Sequence, residues 1–198
     1  MVKQRIGLLG GSFDPVHLAH IALAKAALHS LQLHQVQLLP ASQPWQKDQL
    51  GASASHRIAM LELACAPYSY LAVNPIEIER GGTTYTYDTV SQLPSNKEHF
   101  WILGSDQIQN FIHWHNWQGI LDHVTLAVAH RPGSAPTPPP ELQNFLQAQN
   151  KVLHHIDFAP TSLSATLIRE RLQQHQSVAS MVPQSVAHYI EQHHLYQL

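Results

Sequence analysis

The stretch from residue 10 to residue 20, GGSFDPVHLAH, contains the residue types that most clearly point to chemistry. Gly10 and Gly11 follow a short apolar run, and glycines at such a turn let backbone N–H groups approach a ligand closely. A helix is predicted to open at His17, and the N-terminus of a helix favours an anion. Because His17 and His20 are three residues apart, both imidazoles should project from one side of the first turn. A Gly-Gly pair alone would favour a tight turn beside surface histidines, whereas the whole string predicts a phosphate site.

A second candidate anion site lies at residues 164–169, SATLIR. Ser164 is a candidate N-cap, and its hydroxyl with the first N–H groups of the helix could form an anion nest. Arg169 projects from the first turns, and its rigid guanidinium suits phosphate better than a lysine would. Taken alone, the hexapeptide is more typical of an ordinary capped helix with a surface arginine. Arg171 is expected to point elsewhere, into solvent or a salt bridge.

The elements that must position these residues alternate between short apolar runs and helical patterns. Four runs have the length and near-continuous hydrophobicity of strands buried on both faces: residues 5–10, 36–40, 100–104 and 124–130. Alternation within 70–80 and a run at 152–158 are weaker strand candidates. Helices are predicted at 17–31, 55–66, 87–93, 106–112, 141–149, 164–174 and 183–193. This alternation predicts a doubly wound α/β fold with a mostly parallel sheet, whose ligands lie outside the carboxyl ends of the strands.

Composition limits the classes of protein to which the chain can belong. Its 198 residues fit a single domain over 1–198, with a proline-rich surface loop at 131–140 and a C-terminal helical part from about residue 164. Eleven Lys+Arg against thirteen Asp+Glu argue against a nucleic-acid coat or a polybasic membrane patch. The lone Cys65 and the lack of a long apolar run or a signal peptide favour the cytoplasm. The sixteen histidines are scattered, without zinc-ligand spacing, so metal binding is only an alternative.

Several blocks of the sequence, taken in chain order, resemble the nucleotidyltransferase family whose signature ends in His-x-Gly-His. They resemble in particular the bacterial nicotinate-nucleotide adenylyltransferases. The matching blocks are residues 10–20, 40–47 (PASQPWQK), 77–90 (EIERGGTTYTYDTV), 100–107 (FWILGSDQ), 114–121 (WHNWQGIL), 131–133 (RPG), 164–171 (SATLIRER) and 182–196 (VPQSVAHYIEQHHLY). Ala19 stands where the family usually has glycine, and Gln46 where a histidine commonly precedes the basic residue.

The resemblance implies a Rossmann-like nucleotidyltransferase fold and transfer of AMP from ATP to nicotinate mononucleotide. The products are nicotinate adenine dinucleotide and pyrophosphate, a step of NAD biosynthesis. It implies Mg²⁺ brought in with ATP, no nucleic-acid polymer and no membrane as partners, and it leaves homo-oligomerisation open.

The resemblance also implies roles for individual residues. The expected catalytic residues are His17, His20 and Arg169. The expected ATP-binding residues are Gly10, Gly11, Ser12, Phe13, Lys47, Gly104, Asp106, Ser164 and Thr166. The expected residues for nicotinate mononucleotide are Tyr85, Thr86, Trp114 and Arg131, and no residue is expected to ligate a metal directly.

Several of these positions have simpler explanations. Asp106, directly after a predicted strand, could cap the next helix as well as bind a ribose hydroxyl. Lys47 could be a surface residue rather than a residue that reaches over the triphosphate. Trp114 and Trp117 would usually pack in a core, and stacking on a flat pyridine ring is the functional alternative, with Trp117 the weaker candidate.

Rival functions remain open at this point. A transferase for nicotinamide mononucleotide or for phosphopantetheine is the nearest rival, although the GGTTYT and Trp114 blocks favour a pyridine nucleotide. A regulatory module that binds nucleotide without turnover, and a His-rich metal-binding protein, belong to other classes. Release of pyrophosphate would distinguish an enzyme from the regulatory module. Equilibrium dialysis with Zn²⁺ or Ni²⁺ would test for the metal-binding protein.

Overall fold

The computed structural model describes residues 3–44, 50–159 and 161–197. Its elements, in chain order, are β1 Gln4–Gly11, α1 Leu18–Ser30, β2 Gln35–Pro40, β3 Gln43–Pro44, α2 Ala54–Cys65, β4 Leu71–Val73, α3 Ile76–Arg80, β5 Thr83–Thr84, α4 Thr86–Val90, β6 Lys97–Gly104, α5 Ser105–Asn110, a 3-10 turn Phe111–His113, α6 Trp117–His123, β7 Thr125–His130, α7 Pro140–Ala148, β8 His154–Asp157, α8 Ala165–Gln173 and α9 Gln184–Gln192.

Six of the strands form one parallel sheet in the order β4-β2-β1-β6-β7-β8. From β1 the chain builds outward through β2 and β4, crosses back to β6 and builds outward again through β7 and β8. The strand order therefore reverses between β1 and β6, and ligands of such sheets bind in the crevice outside the carboxyl ends at this reversal. The predicted doubly wound, mostly parallel α/β sheet is confirmed.

Helices cover both faces of the sheet, so successive residues of the central strands enter two different apolar clusters. In β6, Phe100 and Ile102 face the cluster that contains Phe13 and Met60. Trp101 and Leu103 face the other cluster, with Phe111 and Trp117. Burial on both faces is the physical reason for the near-continuous hydrophobicity that identified these strands in the sequence.

The predicted strand at 70–80 is mostly wrong. Only Leu71–Val73 pairs with β2, and Ile76–Arg80 is helical. Pro75 has no N–H for a sheet, and the Asn74 side chain accepts a hydrogen bond from the backbone N–H of Ile76 at 3.2 Å, which turns the chain into α3. The isoleucines at 76 and 78 thus lie on a helix and not on alternate faces of a strand.

Three further elements were not predicted, one helix and two short strands. Helix α6 follows the predicted 106–112 helix, which in the structure ends as a 3-10 turn. Strands β3 and β5 form a separate two-residue parallel pair that joins the loop after β2 to the loop before α4. Within the described residues, no helix combines the length and the apolar character needed to cross a membrane.

Candidate active site

Gly10 and Gly11 are the last two residues of β1 and pair with Leu39 and Pro40 of β2, so the expected turn begins only after them. A side chain on Gly11 would begin 3.3 Å from the ring of Phe13, and one on Gly10 would begin 3.1 Å from the ring of Trp101. Phe13 itself is buried with φ at 48°, in the left-handed region that few non-glycine residues occupy. The aromatic ring thus supports the turn from beneath and keeps its backbone at the carboxyl end of β1.

The two histidines of the turn lie together, as their spacing predicts. His17 is the N-cap of α1, and its backbone N–H donates to Nδ1 of His20 at 3.2 Å. The two rings stack with their centroids 3.7 Å apart, and the ring of Phe13 packs edge-on against His20. Because Nδ1 of His20 accepts this hydrogen bond, the uncharged form of the ring carries its proton on Nε2.

Burial changes the expected contribution of His17. Its side chain is 6% exposed, and burial lowers its pKa from 6.5 to about 4. Its Nδ1 atom has no hydrogen-bond partner among the described residues. The lowered pKa favours a neutral His17 at pH 7 in the protein without ligand. His17 remains a hydrogen-bond donor.

The second predicted anion site packs directly against the first. Ser164 is the N-cap of α8, as predicted, and its Oγ accepts from the N–H of Leu167 at 3.1 Å. Arg169 donates to the backbone carbonyl of Asp14 at 2.7 Å and to Oγ1 of Thr166 at 3.3 Å. Arg171 points away and donates to the carbonyl of Ser177. Segments 155 residues apart thus meet at the carboxyl end of β1.

Asp14 was not selected from the sequence. It lies in the segment between β1 and α1, residues 12–17, which we call the phosphate turn, and it joins this turn to three other parts of the chain. Its carboxylate is 2% exposed and accepts from the backbone N–H groups of Gly51 at 2.7 Å and Ala52 at 3.0 Å. It also accepts from the hydroxyl of Tyr196 at 2.8 Å, and a nitrogen of Arg169 lies 3.9 Å from Oδ2. The only signal in the sequence was an acidic residue inside a glycine turn expected to bind anions.

Arg57 was also missed, and it holds the same turn from the opposite side. Its side chain is 1% exposed and donates to the carbonyl of Ser12 at 2.8 Å and to that of Ser42 at 3.4 Å. Burial lowers the pKa of the guanidinium, while the negative charge of Asp14 raises it. From the sequence alone, an arginine within the predicted helix at 55–66 cannot be distinguished from a surface arginine.

Gly104 and Asp106 lie at the end of β6, across the point of strand reversal from the turn after β1. A side chain on Gly104 would begin 2.7 Å from Oδ1 of Asp106, so glycine is required for the carboxylate to lie against the strand end. Asp106 is in the first turn of α5, and Ser105 donates to the carbonyl of Ala129 on β7. These residues therefore lie at the carboxyl end of β6, where the crevice is predicted.

The residues expected at the pyridine end are brought together in part. Tyr85 is 38% exposed and precedes α4, whose first residue is Thr86. Its ring lies 5.1 Å from that of His115, the neighbour of Trp114. Trp114 is half-buried against Phe111, with ring centroids 5.3 Å apart.

The other residues weighed for this end differ in their surroundings. Trp117 is buried in the second apolar cluster, so packing accounts for it. Arg131 follows β7 and is exposed. Lys47 and Gln46 lie outside the described residues.

A buried polar network that was not foreseen supports the segment around Tyr85. Thr89 of α4 donates to Glu77 of α3 at 2.9 Å and accepts from Arg80 at 3.1 Å. Burial raises the pKa of Glu77, opposed by the hydrogen bond from Thr89 and the charge of Arg80. The network fixes α3 against α4 and therefore the backbone at Tyr85 and Thr86.

Comparison with known proteins identifies the family. The cytidylyltransferase-like family model matches residues 8–171. A protein of Bordetella parapertussis named "Probable nicotinate-nucleotide adenylyltransferase" is 55% identical over 100% of both chains. Proteins of the same name from Albidiferax ferrireducens and Pseudomonas fluorescens are 42% and 38% identical, each over 98% of both chains. The chain belongs to the nicotinate-nucleotide adenylyltransferase family.

Solved structures agree on the fold. The nicotinic acid mononucleotide adenylyltransferase of Plasmodium falciparum, complexed with NaAD, superposes with a TM-score of 0.76 at 20% identity, covering 98% of this chain and 97% of the other. The same enzyme complexed with APC gives a TM-score of 0.74 at 19% identity. Ala19, which stands where the family usually has glycine, lies in the first turn of α1, directly before His20.

Proposed function

We propose that the protein transfers the AMP moiety of ATP to nicotinate mononucleotide, which gives nicotinate adenine dinucleotide and releases pyrophosphate. One observation carries the assignment. The end of β1 at Gly10 and Gly11, the stacked pair His17–His20 and Arg169 converge where the sheet reverses its strand order. The full-length relatives that carry the name of this activity support the same reaction.

The reaction is an in-line displacement at phosphorus. An oxygen of the mononucleotide phosphate forms a bond to the α-phosphorus of ATP, and the bond from that phosphorus to the bridging oxygen breaks as pyrophosphate leaves. The attacking oxygen is already ionised, so no general base is needed. Catalysis then consists of holding the two nucleotides in line and neutralising charge on the phosphoryl oxygens.

The residues of the turn provide that stabilisation from fixed positions. His20 donates from Nε2, because its Nδ1 is occupied by the N–H of His17. His17 acts as a neutral donor, and Arg169 supplies the formal positive charge. Donors already held in place cost no reorganisation when charge develops, and each is typically worth about 10²–10³ in rate. Lys47 is a further cation proposed for the triphosphate.

At the other end of the crevice, we assign Tyr85, Thr86, Trp114 and Arg131 to nicotinate mononucleotide. The N–H groups at the start of α4 can donate to a pyridine carboxylate, and Trp114 offers a half-exposed aromatic face. A carboxylate only accepts hydrogen bonds, whereas an amide must turn its own NH₂ toward the same donors. The site should therefore prefer the acid over the amide.

Mg²⁺ is proposed to enter as the complex with ATP and to be held mainly by phosphate oxygens and water. The described residues bring together no group of three His, Cys, Asp or Glu side chains able to share a metal ion. The buried carboxylate of Asp14 is also occupied by protein donors.

A pyrophosphate-release assay with a panel of acceptors tests the assignment. ATP is combined with nicotinate mononucleotide, nicotinamide mononucleotide or phosphopantetheine, and kcat/KM is compared. We expect the nicotinate substrate to be used best. Equal use of the acid and the amide would refute the nicotinate assignment, and ATP binding without turnover of any acceptor would identify a nucleotide-binding module.

A further inference from the structure

We propose that Tyr196 is a positioning residue that keeps Arg169 available to the phosphates of ATP by donating its neutral hydroxyl to Asp14. This inference rests on the proposed function and extends it to a residue outside the crevice. Tyr196 follows α9, 182 residues from Asp14, and its contact is with the carboxylate beneath the phosphate turn.

The geometry around Asp14 shows a competition between neutral and charged donors. Three neutral groups already bind its carboxylate: the N–H groups of Gly51 and Ala52 and the hydroxyl of Tyr196. The guanidinium of Arg169 lies 3.9 Å from Oδ2, too far for a hydrogen bond, and donates instead to the backbone carbonyl of Asp14. The cation is therefore held beside the turn, within ion-pair distance of the carboxylate but without a hydrogen bond to it.

Tyr196 is well suited to act as a permanent donor. It is buried, and burial together with the adjacent charge of Asp14 raises its pKa, so its hydroxyl stays protonated. Its ring packs over Gly51, where a side chain would begin only 2.9 Å from the ring atoms. Among the described residues, Arg57 is another cation near Asp14, but it donates to the carbonyls of Ser12 and Ser42.

Loss of the hydroxyl should change the position of Arg169. A buried carboxylate with a missing donor carries a large desolvation cost, and a nearby cation can remove that cost by moving closer. Arg169 needs to move by only about 1 Å to reach hydrogen-bond distance of Oδ2. Its planar fork would then face the carboxylate and no longer face an incoming phosphate.

The first test is Tyr196→Phe, which removes one oxygen atom and keeps the ring. We expect kcat/KM for ATP to fall about 10- to 100-fold, the factor that corresponds to one hydrogen bond to a charged group, with little change in KM for nicotinate mononucleotide. Tyr189→Phe is the matched control, because its hydroxyl also makes one side-chain hydrogen bond, to Nδ1 of His56 at 2.9 Å, away from the turn. An unchanged kcat/KM for ATP in Tyr196→Phe would overturn the proposal.

A double-mutant cycle separates positioning from a general loss of structure. The dissociation constant for ATP is measured by calorimetry for Tyr196→Phe, Arg169→Met and the double variant. If Tyr196 acts through Arg169, removing its hydroxyl should weaken ATP binding in the wild-type background and leave it nearly unchanged when Arg169 is absent. Equal weakening in both backgrounds would mean that Tyr196 is structural, and the proposal would be wrong.

The binding cycle, unlike the measurement of kcat/KM, can be read whether or not the proposed reaction is correct. If the wild-type protein releases no pyrophosphate with ATP and nicotinate mononucleotide, the proposed function is wrong, yet the binding cycle still tests the link between Tyr196 and Arg169. If the wild-type protein is active and the cycle is additive, only the inference about Tyr196 is wrong.

Discussion

Replacing His17 with asparagine tests whether the buried imidazole is neutral in the folded protein. Asparagine is also a good N-cap, so α1 can still begin at the same residue. In the wild-type protein, the pKa of His17 is lowered from 6.5 to about 4 by burial. Below pH 6.5 the unfolded chain binds a proton that the folded protein does not, so the free energy of unfolding falls as the pH falls and levels off below about pH 4.

The size of the effect follows from the two pKa values. The full loss is the difference between 6.5 and about 4 multiplied by 1.36 kcal/mol, or about 3 kcal/mol. Between pH 7 and pH 5 the same relation gives a loss of about 2 kcal/mol. For a chain of this length that corresponds to a difference of about 4–7 °C in Tm.

Urea unfolding of the wild-type protein and of His17→Asn at pH 7 and pH 5 measures this difference. Burial also lowers the pKa of His99 and His154, but both proteins share those residues, so their contribution cancels. His188→Gln, at an exposed position, is the control. If the two proteins lose the same stability between pH 7 and pH 5, His17 is charged in the folded state and the reasoning fails.

Three substitutions test the roles assigned to the other site residues. His20→Ala should reduce kcat by about 10²–10³ with a smaller change in substrate binding, and a variant that keeps more than about half of the wild-type kcat would remove His20 from the site. Arg169→Lys should raise KM for ATP, because a bidentate fork is replaced by a point charge, and unchanged ATP kinetics would contradict the second anion site. Trp114→Ala should weaken binding of the acid and the amide mononucleotide alike by about 1–3 kcal/mol and preserve most of the preference for the acid. Loss of that preference without loss of affinity would mean that Trp114 selects the substrate rather than stacking on it.

The parts of the site that the sequence predicts depend on short-range patterns. Two histidines three residues apart at a helix start must lie on one side of the first turn, and they stack in the structure. Ser164 at the start of an apolar helical pattern predicts an N-cap, which the structure contains. Apolar runs of strand length predict a parallel sheet, and such a sheet gathers its loops at one edge.

The parts that could not be predicted depend on which distant groups meet. Asp14 could have been an exposed turn residue, because nothing near it in sequence shows that Gly51, Ala52 and Tyr196 surround it. The buried position of Arg57 likewise depends on the placement of two carbonyls by other elements.

The error at 70–80 arose from a different cause. Isoleucines two residues apart fit a strand, but Asn74 and Pro75 start a short helix through a single side-chain hydrogen bond. The run of periodic residues was too short there to distinguish a strand from a helix.

The contacts of Asp14 also affect how activity should return during refolding. Its partners lie 37, 38, 155 and 182 residues further along the chain. A local element such as α1 can form before contacts across such long loops, because loop closure is entropically costly. Recovery of helical circular dichroism should therefore precede recovery of ATP binding, and the rate at which binding returns should report the docking of the segment after α9 onto the turn after the first strand.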